Sequence, residues 1–200
     1  MFWFIFLIVL FLLALAFFLI YPKVRKNYLE KNFIGICKNK VSKLSKKNNF
    51  NYLTNVNIVD FQYKRLNIDQ IIFGYKYIYL VTNNLLCGEV KGKINDHSWT
   101  FKKYGNKDKT YIDNIIESAD DKINEFSNLI GINKDFIVSI CVIPNECDFL
   151  INNVNKDNSV IIRSKSFYKM INKIESRNID PFNKEQLNSY YEMVKSRNGK

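Results

Sequence analysis

Residues 2 to 20, FWFIFLIVLFLLALAFFLI, place 19 positions in a row without a charged side chain, and this limits the chain more than any other feature. Coiled as an α-helix, such a stretch is about as long as the hydrocarbon core of a bilayer requires. It is too long and too uniformly apolar for a buried helix of a small soluble core. Ala14-Leu15-Ala16 resembles the end of a cleaved secretory signal. No Lys or Arg precedes the run, however, and it continues through Phe17, Phe18, Leu19 and Ile20. Both features favour an uncleaved transmembrane anchor over residues 1–21.

The flanking charges set the expected orientation. Residues 21 to 65 carry eleven Lys and Arg against Glu30 and Asp60, which is nine of the chain's net +11. A juxtamembrane excess of this kind is retained on the cytoplasmic side. The expectation is a single-pass protein of the cell membrane, its N-terminus outside and its C-terminal domain in the cytosol. Cys37, Cys87, Cys141 and Cys147 then face a reducing compartment as free thiols. No pair has Cys-x-x-Cys spacing and His97 is the single histidine, so a zinc site is not expected. The basic patch of Lys38, Lys40, Lys43, Lys46, Lys47, Lys64 and Arg65 has two functional readings, attraction to anionic lipid headgroups or tracking of DNA or RNA phosphates. A solvated, positive flank is the bland one. Tyr28, Phe33, Phe50 and Tyr52 are interleaved with it but do not decide, since core contacts would place them equally well.

Behind the anchor, residues 22–48 read as a Lys-rich helix with apolar positions at Tyr28, Leu29, Phe33, Ile36, Cys37, Val41 and Leu44. FNYLTNVNIVDFQYKR is strand-like. IDQIIFG and YIYLVT form a hairpin across Gly74-Tyr75-Lys76, and LLCGEVKGKI supplies a third, shorter strand. From Tyr111 the period changes: Ile112, Ile115, Ile116, Ala119, Ile123, Phe126, Leu129 and Ile130 share a helical face that ends at Gly131. FIVSICVI, closed by Pro144, reads as a strand covered on both faces. SVIIR is another strand, SFYKMINKIES a helix, and Asp180-Pro181 the start of a last helix within residues 178–200. This order predicts an α/β domain over residues 49–177, a three-layer core with a mixed sheet.

Within that domain Glu89-Val90-Lys91 follows β-forming residues, with Asp69 on an earlier strand. Such an acid, then an acid-x-lysine on the next strand, is how metal-dependent nucleases hold a cation and a water. The block IDQIIFGYKYIYLVTNNLLCGEVKGKINDHSW resembles the nuclease-related domain (NERD) family, whose fold is PD-(D/E)xK, or restriction-endonuclease-like. The resemblance covers residues 33 to 175. Laid without a gap, Asp69 takes the family's Asp, Gln70 its His, Gly74 its turn glycine, Gly88 and Gly92 the glycines of Gly-x-Ile-x-Gly, and Trp99 its Trp.

That register puts the family's Glu and Lys on Thr82 and Asn84. The family's Asn-Pro-x-x-Gln falls on Asn114, Ile115 and Ser118, and its N-terminal Gly-Glu on Gly35-Ile36, again without the acid. Mg²⁺ prefers hard, anionic oxygen ligands, so Asp69 with a hydroxyl and an amide is a weak metal site. The resemblance then implies a catalytically silent domain with no cofactor. A rival register makes Asp69, Glu89 and Lys91 a Mg²⁺-dependent nuclease site, at the expense of an insertion of seven residues and a matching deletion. The gapless register is preferred because it accounts for all three glycines. Outside catalysis, Asp69 is a polar strand residue, Glu89 and Lys91 a same-face surface pair, Trp99 a packing residue, and His97 a solvated loop residue. Tyr75, Tyr77 and Tyr79 alternate on one strand face. The reading is a membrane-anchored, degenerate nuclease-related domain that binds or scaffolds, with nucleic acid the first ligand to test and its protein partner open.

Overall fold

The apolar run and the Lys-rich stretch behind it form one helix, α1 (Phe2–Asn48), in the computed structural model of the chain. The structure describes residues 2–59, 65–152, 156 and 158–199, with the side chains at positions 2, 4, 5, 8, 9, 19, 22, 23 and 26 outside the description. The chain divides into two units, Met1–Phe33 and Ile34–Lys200. In the first, every described side chain from Trp3 to Ile20 is apolar and exposed. Among the described residues no helix is long and apolar enough to cross a membrane, so the expected transmembrane anchor is not supported by them.

In the second unit, β1 (Asn51–Val59), β2 (Arg65–Phe73) and β3 (Ile78–Asn83) form an antiparallel meander. Gly74 sits at the β2–β3 connection, where its N–H donates to the Tyr77 carbonyl at 3.0 Å. A Cβ there would strike the Glu175 carboxylate and the Tyr79 ring, so the turn needs glycine for close approach. The third strand expected to extend this meander leaves it instead. Asn84 still donates its N–H to the Val142 carbonyl, but Leu86 N–H turns back onto Asn84 O. β4 (Gly88–Lys91) then joins β5 (Ser98–Lys103), β6 (Thr110–Asp113) and β8 (Asp148–Phe149) in a separate sheet of order β6-β5-β4-β8.

The helix expected from Tyr111 begins later, because Tyr111 and Ile112 pair with Thr100 and Trp99 as strand. Asn114 ends β6 and caps α2 (Ile115–Ile130), which buries Ile115, Ile116, Ala119, Ile123, Phe126 and Ile130 on one face. Gly131, at φ 70°, closes the helix with its N–H on Ser127 O, the left-handed stop that glycine permits. β7 (Ile137–Ile143) is buried at every position and runs parallel to β3. β9 (Ser159–Arg163) pairs parallel to β7, giving the main sheet the order β1-β2-β3-β7-β9. This mixed sheet carries helices on both faces. α2 and α4 (Lys184–Arg197) pack Ile123, Phe126 and Val194 against Ile68, Ile71, Ile78 and Leu80. On the other face Tyr52 donates its hydroxyl to Ser42 of α1 at 3.1 Å, and Tyr79 to Glu175 of α3 (Phe167–Glu175) at 2.6 Å.

The last helix does not start at Asp180-Pro181. Phe182 N–H donates to the Tyr75 carbonyl at 2.7 Å, which holds that segment extended. Asn183 is the cap that starts α4, its side chain accepting the Glu185 N–H.

Candidate functional site

Register on the β2–β3 pair decides which side chains share the sheet end. Gln70 lies opposite Val81, and one further step sets Asp69 opposite Thr82. Asp69 and Thr82 are thus neighbours, yet both are occupied. The Asp69 carboxylate accepts the Asn83 backbone N–H at 2.7 Å, standing where a strand carbonyl would otherwise complete the ladder. Thr82 is buried and donates its hydroxyl to Cys141 Sγ at 3.2 Å. Burial pushes the Cys141 thiol up from its ordinary value, which keeps it protonated.

Thr82 and Asn84 line a cleft of about 250 Å³ together with Asp113 of β6, Ser118 and Lys122 of α2, and Cys141. Ser118 and Lys122 are i and i+4 on α2, so helical geometry sends both to the same side. Thr82 and Asn84 bring a hydroxyl and an amide where the family has its acid and lysine, and Lys122 brings an ammonium group from the helix instead. Asp113 is the single carboxylate of this lining. Among the described residues no group of three His, Cys, Asp or Glu side chains could hold a metal ion. A Mg²⁺ ion, which takes anionic oxygen ligands at short range, does not fit this donor set.

Glu89 and Lys91 lie in the other sheet from Asp69. They form an ion pair with each other at 2.8 Å, as residues two apart on one strand face can. Glu89 sits opposite Lys102 on β5 and Asp148 on β8. The glycines flanking this pair have a packing reason. A Cβ on Gly88 would strike the Lys102 carbonyl, and one on Gly92 would strike the indole of Trp99. Trp99 is fully buried, donates its indole N–H to Lys93 O at 2.9 Å, and meets the Phe149 ring edge-on. It packs. Asn114 binds the second sheet's turn to α2: its side chain accepts from Ile116 N–H and Glu117 N–H and donates to the carbonyls of Ile94 and Asp96, both at 2.8 Å. His97 is exposed beside Glu117, with Nδ1 3.1 Å from its carboxylate.

Gln70, at the family's His position, is fully buried, and among the described residues neither atom of its amide has a hydrogen-bond partner. The three tyrosines do not share one strand face as expected, because β3 begins only at Ile78. Tyr75 is half exposed and donates to Asn48 O, whereas Tyr77 and Tyr79 are buried. Burial, then the adjacent Glu175 carboxylate, pushes the Tyr79 hydroxyl up; burial likewise raises Glu175. Cys37, Cys87, Cys141 and Cys147 are free and buried, and burial pushes Cys37 up to about 12 and Cys147 to about 11.

Of the basic patch, Lys43, Lys46, Lys47 and Arg65 are exposed, Lys38 and Lys40 half-buried, and Lys64 lies outside the described residues. Sequence reasoning missed Lys122 and Asp113. The i, i+4 spacing from Ser118 to Lys122 is the signal that points to the lysine, and Asp113 carries none because β6 was read as helix. The nuclease-related domain family model matches residues 30–144. No curated protein matches the chain, and no solved structure does.

Proposed function

The chain belongs to the nuclease-related domain family, and on that premise we propose that it binds nucleic acid, or scaffolds on it, without metal-dependent cleavage, at the cytosolic face of a membrane. Family membership indicates a nuclease-like or nucleic-acid-related role. The loss of cleavage rests on one observation above all. The Asp69 carboxylate accepts the Asn83 N–H at one oxygen and has a threonine and an asparagine beside it in place of a second acid, which leaves a lone carboxylate where the cation that polarises a phosphate and generates the nucleophile needs a pair. A restriction-endonuclease-like ancestry is supported by the order α1-β1-β2-β3, then α2-β7 after the intervening β4, β5 and β6, with β7 parallel to β3.

Attachment through residues 2–20 is supported by the apolar, exposed character of their described side chains, which water would leave costly. Cytosolic placement of the domain is supported by the cationic flank that follows. The alternative, a Mg²⁺-dependent nuclease built on Asp69, Glu89 and Lys91, requires two sheets to share one ion.

The test uses the full chain in detergent micelles. Calorimetric titration with Mg²⁺ and Mn²⁺ is run beside Asp69→Ala and Glu89→Ala, and the same preparations are assayed for DNA and RNA binding against salt. The reading expects salt-dependent nucleic-acid affinity without metal binding or cleavage. Metal-dependent cleavage lost in both variants would overturn it in favour of the nuclease, and no affinity for DNA or RNA at low salt would overturn the binding reading. Flotation with liposomes tests the membrane component, and a chain left wholly in the aqueous fraction would exclude it.

A further inference from the structure

Two helices on the Tyr79 side of the main sheet repeat one charge pattern. α1 carries Lys40, Lys43 and Lys47 at i, i+3 and i+7; Lys165, in the 3-10 turn that leads into α3, is followed by Lys169 and Lys173 at i+4 and i+8. Steps of three and four return to the same helix face, so each helix presents a row with one ammonium group per turn, about 5.4 Å apart. The apolar positions of both helices point the other way: Cys37, Val41 and Leu44 on α1, and Phe167, Ile171 and Ile174 on α3, are buried. Lys43, Lys47, Lys165, Lys169 and Lys173 are exposed. Lys40 Nζ stands 5.5 Å from the centroid of the Tyr168 ring, which sets the two rows side by side.

A solvated helix face ordinarily mixes charge signs, because like charges at i, i+4 repel. Here residues 34–48 and 163–174 contain no Asp or Glu, and Glu175 turns inward to Tyr79. None of the six lysines is ion-paired among the described residues. The face also lacks what a membrane-lying helix needs. Such helices insert an apolar stripe between the headgroups, whereas among the described residues at positions 34–48 and 163–177 a single large apolar side chain, Ile34, is exposed. Two regular rows of uncompensated cations with no apolar stripe match a phosphodiester backbone, whose affinity comes from neutralised phosphates and released counterions.

We infer that the α1/α3 face is the surface on which this protein holds nucleic acid by its phosphate backbone, apart from the Thr82–Lys122 cleft. The inference rests on the nucleic-acid reading above. At its far end the face opens into a cleft of about 560 Å³ whose wall includes Lys47, Tyr75, Asn172 and Ser176 together with Phe50 and the Glu175 carboxylate.

Fluorescence anisotropy of the full chain in micelles, with duplex and single-stranded oligonucleotides across about 0.05–0.3 M salt, tests this through the slope of log K against log salt, about −0.9 per phosphate contact on a duplex. K165Q/K169Q/K173Q removes the α3 row and K43Q/K47Q part of the α1 row. K102Q/K107Q/K109Q removes three exposed lysines of β5 and the β5–β6 connection as a control of equal charge. The expected result is a slope shallower by about two to three for the α3 variant, by about two for the α1 variant, and by less than about half for the control. Equal losses in the α3 variant and the control would overturn the inference, as would unchanged duplex and single-strand affinity in the α3 variant. Loss of binding to phosphatidylglycerol vesicles with nucleic-acid affinity intact would also overturn it. Absence of any nucleic-acid binding by the unaltered chain would fell the functional reading itself, and the inference with it.

Discussion

Gln70→Met is the most informative single substitution the core offers. The side chain is fully buried on a central strand, opposite Val81 and Thr54 on its two neighbours, and both atoms of its amide lack partners among the described residues. A buried amide that makes no hydrogen bond leaves its desolvation uncompensated, about 1–3 kcal/mol. Methionine has nearly the same length and flexibility, so packing is kept while the polar group goes. The expected outcome is a gain of about 1–2 kcal/mol, the lower half of that range because some packing mismatch offsets it. For a chain of this size that is a rise of about 3–6 °C in melting temperature. Gln70→Ala removes the volume too and should destabilise, by about 1–3 kcal/mol, through the cavity left behind. Thermal and urea denaturation followed by near-ultraviolet circular dichroism measures both. If Gln70→Met destabilised by more than about 1 kcal/mol, the amide would have a partner in solution, and the view of this strand end as an inert remnant would be wrong.

Three further substitutions probe the scaffold. Asn114→Ala removes a helix cap and the clamp on Ile94 and Asp96 carbonyls, and should cost about 2–3 kcal/mol in urea denaturation; Asn114→Asp keeps the cap acceptor but sets a second oxygen against those two carbonyls, and should not restore the stability. Gly92→Ala drives a Cβ into the Trp99 indole and should cost about 1–3 kcal/mol, with a shift in tryptophan fluorescence; an unperturbed spectrum and stability would contradict the close packing. Glu175 titrates higher in the folded chain than its ordinary 4.5, chiefly through burial, so the folded state binds its proton more tightly than the unfolded one. Its effect is therefore to lower stability as pH rises from about 4.5 through the raised value. A melting-temperature series should show this decline in the unaltered chain and not in Glu175→Gln. Tyr79→Phe, which removes a hydrogen bond to the charged form, should carry the decline to higher pH; identical pH profiles for all three would refute the assignment.

The elements that were legible in the sequence are those whose local pattern and tertiary role agree. The unbroken run at 137–143 is a strand buried on both faces, and the apolar face from Ile115 to Ile130 ends where Gly131 adopts φ 70°. Gly74 marked its turn because a glycine there is needed for contact with Glu175 and Tyr79. β4 is legible as a strand, but not the sheet it joins. Four residues with alternating burial fit either sheet, and only the turn at Asn84–Leu86 decides. Asp180-Pro181 carries a valid local start signal that a tertiary bond, Phe182 N–H to Tyr75 O, overrides. At the candidate site Asp69, Thr82 and Asn84 could be aligned by spacing, but that Asp69 completes a strand ladder depends on the geometry of Asn83. The lysine row on α3 is plain in its spacing. Its partnership with α1 is not, since the two helices are joined only through the fold.

Three of the second sheet's four strands, β4, β5 and β6, are spliced between β3 and β7, which must lie side by side. Thr82 and Cys141 touch although 59 residues separate them, whereas the β2–β3 hairpin closes at Gly74 within a few residues. Closing the longer loop carries the greater entropic penalty, so the meander has the shorter route to its native contacts and the parallel β3–β7 contact is the natural late event in assembly. The same insertion gives the domain freedom of another kind. Its length adds only logarithmically to that closure entropy, so β4, β5 and β6 can lengthen, shorten or diverge while the β1-β2-β3-β7-β9 sheet keeps its register.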